Sequence, residues 1–124
     1  MKIYLDDVRK TPDDWTPAKN FAEFKALIEG AKETGEPIEA IDFDNDLGEN
    51  AEGGHETEGW EILNWLKENH PEYVVGEGIS LEVHSANPKA NDIMRDKIEF
   101  WRAHREEVLT EKERPHPFGS IEKE

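Results

Sequence analysis

The sequence contains no cysteine, no long apolar run and half as many basic as acidic residues. Without cysteine the chain cannot form disulfides, thiolate nucleophiles or zinc sites of the finger type. No apolar run approaches the roughly 20 residues that a membrane span needs. The first five residues lead straight into an acidic pair, without the basic and apolar regions of a signal peptide. We therefore expect a cytoplasmic protein that does not bind membranes.

The excess of acid gives a formal charge of −15, from 30 acidic and 15 basic residues. Such a surface repels the phosphate backbone of nucleic acids, so direct binding to a duplex is not expected. Solubility explains much of this acid, especially near the C-terminus, where Glu alternates with Lys and Arg. An alternative is an acidic interaction protein that mimics a nucleic acid and binds a protein partner.

The length of 124 residues fits one domain. Three apolar, strand-like runs alternate with helical patterns, at 1–5, 38–43 and 79–83. Residues 15–19 are typical of a short edge strand because they include Pro17. This order predicts an α/β fold, with a small parallel sheet of about four strands and flanking helices. We expect the domain to span residues 1–105, and residues 106–124 to form a charged tail that is loosely docked or disordered.

Three helices are predicted from apolar residues at helical spacing and from residues that cap helix ends. Asn20 is the expected N-cap of the first helix, with Glu23 as its capping-box partner. Thr57 is the expected N-cap of the second. Asn87 is the expected N-cap of the third, with Pro88 at its first helical position.

The second predicted helix follows a polar, glycine-bearing loop at 49–56 and carries two tryptophans. Trp60 and Trp65 lie in its broad apolar stripe. We interpret tryptophans at this helical spacing as core residues rather than as a platform for stacking.

Polar residues follow three of the predicted strands. In chain order they are Asp6 with Asp7, Asp44 with Asp46, and His84 with Ser85. Ligands of parallel α/β sheets bind outside the carboxyl ends of the strands, where these residues meet. Asp6, Asp7 and Asp44 are expected to lie close together at this edge of the sheet. Their carboxylates would repel one another unless one takes up a proton or the group binds a cation. Oxygen ligands suit Mg²⁺ or Mn²⁺, so the sequence predicts a metal site here.

The same positions suit a phosphate. Asp44 is a candidate nucleophile toward phosphorus, and His84 is a candidate acid or base near neutral pH. Ser85 and Asn87 lie at a helix N-terminus that favours anions, and Arg9 follows the acidic pair closely. The alternatives are that Asn87 only caps its helix, that His84 is a core histidine, and that Arg9 pairs with surface carboxylates.

Four segments together resemble the cyclic-phosphate-processing receiver-like domain, an offshoot of the response-regulator receiver fold. They are Leu5-Asp6-Asp7-Val8-Arg9, Asp42-Phe43-Asp44-Asn45-Asp46-Leu47-Gly48, Gly59 with its following helix, and His84-Ser85-Ala86-Asn87-Pro88. The resemblance covers roughly residues 1–101 and implies a flavodoxin-like fold. It implies that Asp6 and Asp7 are the acidic metal pair and that Asp44 stands at the phosphate-accepting position. Asp46 would then offer a backbone carbonyl to the metal, and either His84 or Ser85 would contact the phosphate.

Two features depart from the pattern of this family and its parent fold. The family usually has a histidine between the two aspartates of the middle motif, where this chain has Asn45. Ordinary receivers carry a lysine after a fifth strand, and the sequence shows no such strand. His116 replaces that lysine in a superficially similar segment, 115–118. Asn45 argues against an acid–base role at its position, and the missing lysine argues against phosphorelay signalling through Asp44.

The sequence thus predicts a domain that depends on Mg²⁺ or Mn²⁺ and processes phosphate, namely a phosphoesterase acting on cyclic phosphates of nucleotides or RNA ends. Its partner would be a phosphate-containing small molecule or an RNA end. One alternative is a non-catalytic, receiver-like module that binds metal and phosphate without turnover. Another is the acidic interaction protein. Residues 42–47 also resemble the nucleophile motif of haloacid dehalogenase-type phosphatases, but that motif normally ends the first strand of a longer chain.

Overall fold

The computed structural model describes residues 1–49 and 56–113, and the side chains of all of these except 46–49, 56, 57 and 111–113. The elements in chain order are β1 (Lys2–Leu5), β2 (Thr16–Ala18), α1 (Phe21–Thr34), β3 (Ala40–Phe43), β4 (Asp46–Glu49), β5 (Glu56–Glu58), α2 (Gly59–Asn69), α3 (Glu72–Val75), β6 (Ser80–Val83), α4 (Pro88–Ala103) and α5 (Arg105–Glu113). Four strands form a parallel sheet in the order β2-β1-β3-β6. The predicted α/β, receiver-like fold is confirmed.

The crossovers place α1 and α2 on the same face of the sheet. The chain moves in one direction across the sheet from β2 to β3 and again from β3 to β6. Right-handed crossovers in one direction put their helices on one side. Phe24 of α1 accordingly packs against Phe43 of β3 and Trp65 of α2, with ring centroids 5.9 and 6.3 Å apart. The core therefore lies between this face and the helices.

The core is filled by alternate residues of the strands. Ile3 and Leu5 of β1 and Ile41 and Phe43 of β3 are completely buried, as the twofold period of a strand requires. From the helices, the completely buried residues are Phe24, Ile28, Ile62, Leu63, Leu66, Val74, Val75 and Met94. The intervening strand residues point to the opposite face of the sheet. Polar residues lie on that face towards the carboxyl ends of the strands.

Two of the three predicted helix N-caps are confirmed. The Asn20 side chain accepts a hydrogen bond from the backbone N–H of Glu23 at 2.8 Å. The Glu23 carboxylate returns to Lys19 rather than to Asn20, at 2.7 Å. Asn87 caps α4 and Pro88 is the first residue of that helix, because the missing N–H of proline costs nothing there.

The stretch predicted as a loop at 49–56 is flanked by an antiparallel pair, β4 with β5. Its residues 50–55 lie outside the described part of the chain. Thr57 belongs to β5, so its prediction as an N-cap is wrong; the N-cap of α2 is Glu58. The backbone N–H of Glu58 donates to the carboxylate of Glu61 at 3.3 Å. The strands escape sequence analysis because their residues are polar, and backbone pairing does not require apolar side chains.

Trp60 is not a core residue, contrary to the prediction, because 38 % of it is exposed. The buried stripe of α2 runs through Gly59, Ile62, Leu63 and Leu66. Trp60 lies about 100° around the helix from Gly59 and falls outside that stripe. Trp65, by contrast, is partly buried against the core, as predicted.

Residues 105–113 form helix α5, where the sequence predicts the start of a loose tail. Val108 is only 6 % exposed, and the Arg105 side chain donates to the backbone carbonyl of Val75 in α3. The first eight residues of that tail are therefore helical, and Val108 is buried among the core residues. Residues 114–124 lie outside the described residues, and a division of the chain at residue 105 stays a prediction.

In the described ranges, no helix combines the length and the apolar character needed to cross a membrane.

Candidate functional site

The register of the parallel sheet brings polar residues of three strands into rows on one face. Tyr4 of β1 pairs with Asp42 of β3, and Asp42 pairs with Glu82 of β6. A second row follows two residues further along the strands, made of Asp6, Asp44 and His84. One ligand atom from each of these three lies within 4.8 Å of the other two. The structure thus brings together residues that the sequence places at three separate strand ends.

His84 is held between two carboxylates. Its Nδ1 lies 2.6 Å from Asp42 Oδ1, and its Nε2 lies 2.8 Å from Asp6 Oδ2. An ionised carboxylate only accepts hydrogen bonds, so when both carboxylates are ionised both ring nitrogens donate, which is the imidazolium form of His84. Burial lowers the pKa of His84, but the hydrogen bonds to Asp42 and Asp6 outweigh it and raise the pKa above 6.5.

Tyr4 fixes the plane of this imidazolium. The two rings are stacked, with centroids 4.6 Å apart and planes 7° from parallel. Tyr4 is itself packed edge-on against Trp15, at a centroid distance of 6.1 Å. One face and both nitrogens of His84 are therefore positioned by neighbouring side chains.

Asp6 is completely buried and fully hydrogen-bonded. Its Oδ1 accepts from the backbone N–H groups of Val8 and Arg9, each at 2.8 Å, and its Oδ2 accepts from Arg9 Nη1 at 3.0 Å and from His84. Burial alone would raise the pKa of Asp6. These hydrogen bonds lower the pKa to about 2, so Asp6 is ionised at neutral pH.

The Asp6–His84 pair predicts how stability depends on pH. The pKa of Asp6 falls below its ordinary 3.8, so its contribution is present above pH 3.8 and is lost as pH falls towards 2. The pKa of His84 lies above its ordinary 6.5, so its contribution is present below pH 6.5 and is lost as pH rises through the folded-state pKa. We expect His84→Gln to lower the free energy of unfolding by about 2–3 kcal/mol between these limits, since a half-buried pair is broken.

Urea denaturation of native and His84→Gln protein at a series of pH values, with chelator present, measures this difference. The expected result is a maximum between pH 3.8 and 6.5 and a smaller difference at alkaline pH. A difference that does not change with pH would contradict the ionic pairing.

Arg9 bridges the carboxylates on the exposed side of the row. Its Nη1 lies 3.0 Å from Asp6 Oδ2, 3.4 Å from the backbone oxygen of His84 and 3.8 Å from Asp44 Oδ2. Arg9 is exposed whereas Asp44 is only 4 % exposed. The guanidinium thus faces solvent directly above the buried carboxylates, where an incoming anion would meet it.

Asp7 adds an oxygen whose hydrogen-bonding capacity is unused. Its Oδ1 is buried and has no hydrogen-bond partner among the described residues. A buried carboxylate oxygen of this kind is costly unless a cation, a water or a donor reaches it. Of the predicted metal residues, Asp7 and Asp44 therefore suit a cation better than Asp6, whose oxygens already accept four hydrogen bonds. Asp46 begins β4, and its side chain lies outside the description, as does His116.

Ser85 and Asn87 shape the turn into α4. The Ser85 hydroxyl accepts from the backbone N–H of Asn87 at 3.0 Å. The Asn87 side-chain oxygen accepts from the N–H groups of Lys89 and Ala90, at 3.0 and 3.2 Å. Asn87 therefore occupies amides that were expected to attract an anion, and its role as a cap is the one that the geometry supports.

Gly59 lets α2 approach the site closely. A Cβ atom on Gly59 would lie 2.2 Å from the backbone oxygen of Asp44. The Gly59 N–H donates to the Asn45 carbonyl at 2.9 Å, and the Trp60 N–H donates to the Asn45 side chain at 3.3 Å. Asn45 thus joins the start of α2 to the loop that carries Asp44. Asn45 therefore has a structural role at this position, and its amide does not act as an acid or a base.

Sequence reasoning missed Asp42 and Tyr4 as parts of the site. The signal was the twofold period of a strand, which puts Asp42 on the same face as Asp44 and Tyr4 on the same face as Asp6. Applying that period at the three strand ends would have placed both beside His84.

One of three comparisons with known proteins identifies a family. No curated protein and no solved structure matches the chain. A family model described as the cyclic-phosphate processing receiver domain matches residues 1–100, which include every described residue of the site. The chain belongs to the family of cyclic-phosphate processing receiver domains.

Proposed function

We propose that the domain is a divalent-metal-dependent phosphoesterase that opens cyclic phosphates of nucleotides or RNA ends. The observation that carries the proposal is the shared acceptor Asp6 Oδ2, which receives hydrogen bonds from both His84 and Arg9. It sets an imidazolium beside a guanidinium at the carboxyl edge of the sheet, in a chain with a net charge of −15. Paired cations at this edge suit a phosphodiester anion.

Opening a cyclic phosphate requires water to add to phosphorus while one ester P–O bond breaks. The water loses a proton to bulk solvent, and the departing oxygen gains one to become a hydroxyl. In the proposed reaction Arg9 binds the phosphoryl oxygens, and His84 supplies the proton to the departing oxygen. Asp42 and Asp6 keep His84 protonated until that transfer.

The carboxylates fit the metal that the receiver fold implies. Asp7 has a buried oxygen without a hydrogen-bond partner among the described residues. Asp44 belongs to the group, with Asp6 and His84, whose ligand atoms lie within 4.8 Å of one another. Asp7 and Asp44 would hold Mg²⁺ or Mn²⁺, whose preferred ligands are carboxylate oxygens. The ion would neutralise charge on the phosphoryl group. Asp6 would orient His84 and Arg9 through its hydrogen bonds to them.

One observation favours a second candidate, a receiver-like module that binds metal and phosphate without turnover. Both nitrogens of His84 are already hydrogen-bonded to carboxylates. Proton transfer to a substrate requires one of these bonds to open. A rigid, fully paired His84 would instead serve only to stabilise a bound anion.

The test is incubation of the chain and Mg²⁺ with nucleoside 2′,3′-cyclic and 3′,5′-cyclic monophosphates and with RNA ending in a 2′,3′-cyclic phosphate. We expect ring opening that a chelator abolishes. Asp7→Asn and Asp44→Asn should each weaken Mg²⁺ binding by about tenfold or more, measured by calorimetry. Asp96→Asn is the matched control, because Asp96 is exposed on α4 outside the site.

Intact substrates together with calorimetric binding of Mg²⁺ and inorganic phosphate would favour the binding module. If no metal binds at millimolar concentration, both candidates fail. The hypothesis of an acidic interaction protein that binds a protein partner would then be tested.

A further inference from the structure

A cavity of about 380 Å³ opens beside the site, between the starts of α2 and α4. Its lining includes Asn45, Glu58, Trp60, Asn87, Lys89 and Ile93. The volume falls within the range of small-molecule sites. None of these residues has a part in the proposed opening of the phosphate ring.

The walls of the cavity begin at the loops of the site. Asn45 directly follows Asp44, and Asn87 comes three residues after His84. Consecutive Cα atoms are 3.8 Å apart, so these two wall residues lie within about one nucleoside length of the strand ends. A ligand whose phosphate lies at the strand ends can therefore extend into the cavity. This adjacency makes the cavity a continuation of the site.

Trp60 is an exposed but oriented aromatic side chain. It is 38 % exposed, and its Nε1–H donates to Glu58 Oε1 at 2.9 Å. Asn45 Nδ2 also donates to Glu58 Oε1, at 3.4 Å. The indole is thus held in place at the cavity while much of its surface stays open, which is the arrangement that stacks a nucleobase.

The opposite wall is a stripe on α4. Lys89, Ile93 and Lys97 are spaced four residues apart and so lie on one face of the helix. Ile93 is 48 % exposed, an unusual degree for isoleucine on an acidic protein surface. Lys97 Nζ also lies 5.7 Å from the ring of Trp101. Lys89 is in the first turn of α4 and is therefore the cation nearer the strand ends. An apolar side chain between two cations suits a flat, apolar ring attached to an anion.

We infer that this cavity binds the nucleobase of a nucleotide, with the base stacked on Trp60 and packed against Ile93. The inference deepens the proposed function and rests on it for the position of the phosphate. It assigns the place on the protein where the base of such a nucleotide or RNA end would bind. Glu58 supplies an acceptor for amino groups on the base edge.

The test compares binding of the four nucleoside 3′-monophosphates with binding of inorganic phosphate, by calorimetry on the full chain with Mg²⁺. We expect at least one nucleotide to bind about tenfold more tightly than inorganic phosphate. Trp60→Ala should remove that advantage and leave inorganic phosphate binding unchanged. Trp60→Phe should restore part of it, since phenylalanine still stacks.

Phe100→Ala is the matched control, because Phe100 is an exposed aromatic, 61 % accessible, outside the cavity lining. Equal affinities for nucleotides and inorganic phosphate, or a nucleotide affinity that Trp60→Ala does not change, would overturn the inference. Tryptophan-dependent nucleotide binding without ring opening would uphold the cavity and reject the phosphoesterase. Ring opening with no preference for a base would support the phosphoesterase and reject the base-binding cavity.

Discussion

A His84→Gln variant is expected to open a cyclic phosphate about a thousandfold more slowly than the native protein. General acid catalysis contributes about 10²–10⁴ in rate, and glutamine cannot supply a proton. Glutamine is also uncharged, so Asp6 and Asp42 lose the imidazolium that they share. The measurement is kcat under saturating Mg²⁺, with circular dichroism to show that the variant is folded.

Asp42→Asn serves as the graded control for this loss. Its amide keeps a hydrogen bond to His84 but removes one of the two charges that keep the ring protonated. We expect a smaller loss, about tenfold to a hundredfold, because Asp6 still accepts from Nε2. A His84→Gln variant with native kcat would show that another group supplies the proton.

A Gly59→Ala variant is expected to be destabilised by about 3 kcal/mol or to fail to fold. The added Cβ would lie 2.2 Å from the Asp44 oxygen and 2.9 Å from Asn45 Cα, and both are backbone atoms that cannot rotate away. Overpacking usually costs about 1–3 kcal/mol, and a clash with backbone belongs at the upper end. The measurement is the urea midpoint of unfolding at neutral pH.

Gly30→Ala is the matched control for this substitution. Gly30 lies within α1, and a Cβ there would meet nothing within 4 Å. Alanine in a helix interior is favoured over glycine by about 0.8–1 kcal/mol, so this variant should be more stable than the native protein. If Gly59→Ala were also stabilising, the close approach of α2 to Asp44 would be wrong.

Much of the scaffold follows from local sequence signals. The apolar runs before Asp6 and before Asp44 are buried strands because neighbouring strands and the packed helices cover them. The run before His84 forms β6 at the edge of the four-stranded sheet, where Val83 is its buried residue. Asn20 and Asn87 mark helix starts because their side chains reach free backbone N–H groups. Such signals depend on residues a few positions apart, so they can be read without the fold.

The pairing within the site could not be read in the same way. His84 and Asp6 are 78 residues apart, and their contact depends on strand order and register. The sequence predicts Asp6 as a metal ligand because several carboxylates follow the strand ends, and it does not show which of them already accept hydrogen bonds. The structure shows an Asp6 whose oxygens are taken by Arg9, Val8 and His84, which moves the expected metal role towards Asp7 and Asp44.

Trp60 shows why amphipathic patterns alone misplace a residue. A broad apolar stripe on α2 suggests that every large apolar side chain is buried, but the helix turns only part of its circumference towards the sheet. Gly59 takes the contact position nearest Asp44, which turns the adjacent Trp60 towards the cavity. The exposure of Trp60 therefore follows from its angular position on α2, outside the buried stripe.

The decisive measurement is phosphorus NMR of a nucleoside 2′,3′-cyclic monophosphate incubated with the native chain and Mg²⁺ in water enriched in oxygen-18. The proposed reaction predicts that the cyclic signal is replaced by a monoester carrying one heavy oxygen. In the time that the native protein takes to convert the substrate, neither His84→Gln nor a chelated sample should give a detectable monoester signal. A cyclic signal that persists with native protein and Mg²⁺, under conditions in which the nucleotide binds, would contradict hydrolysis at this site.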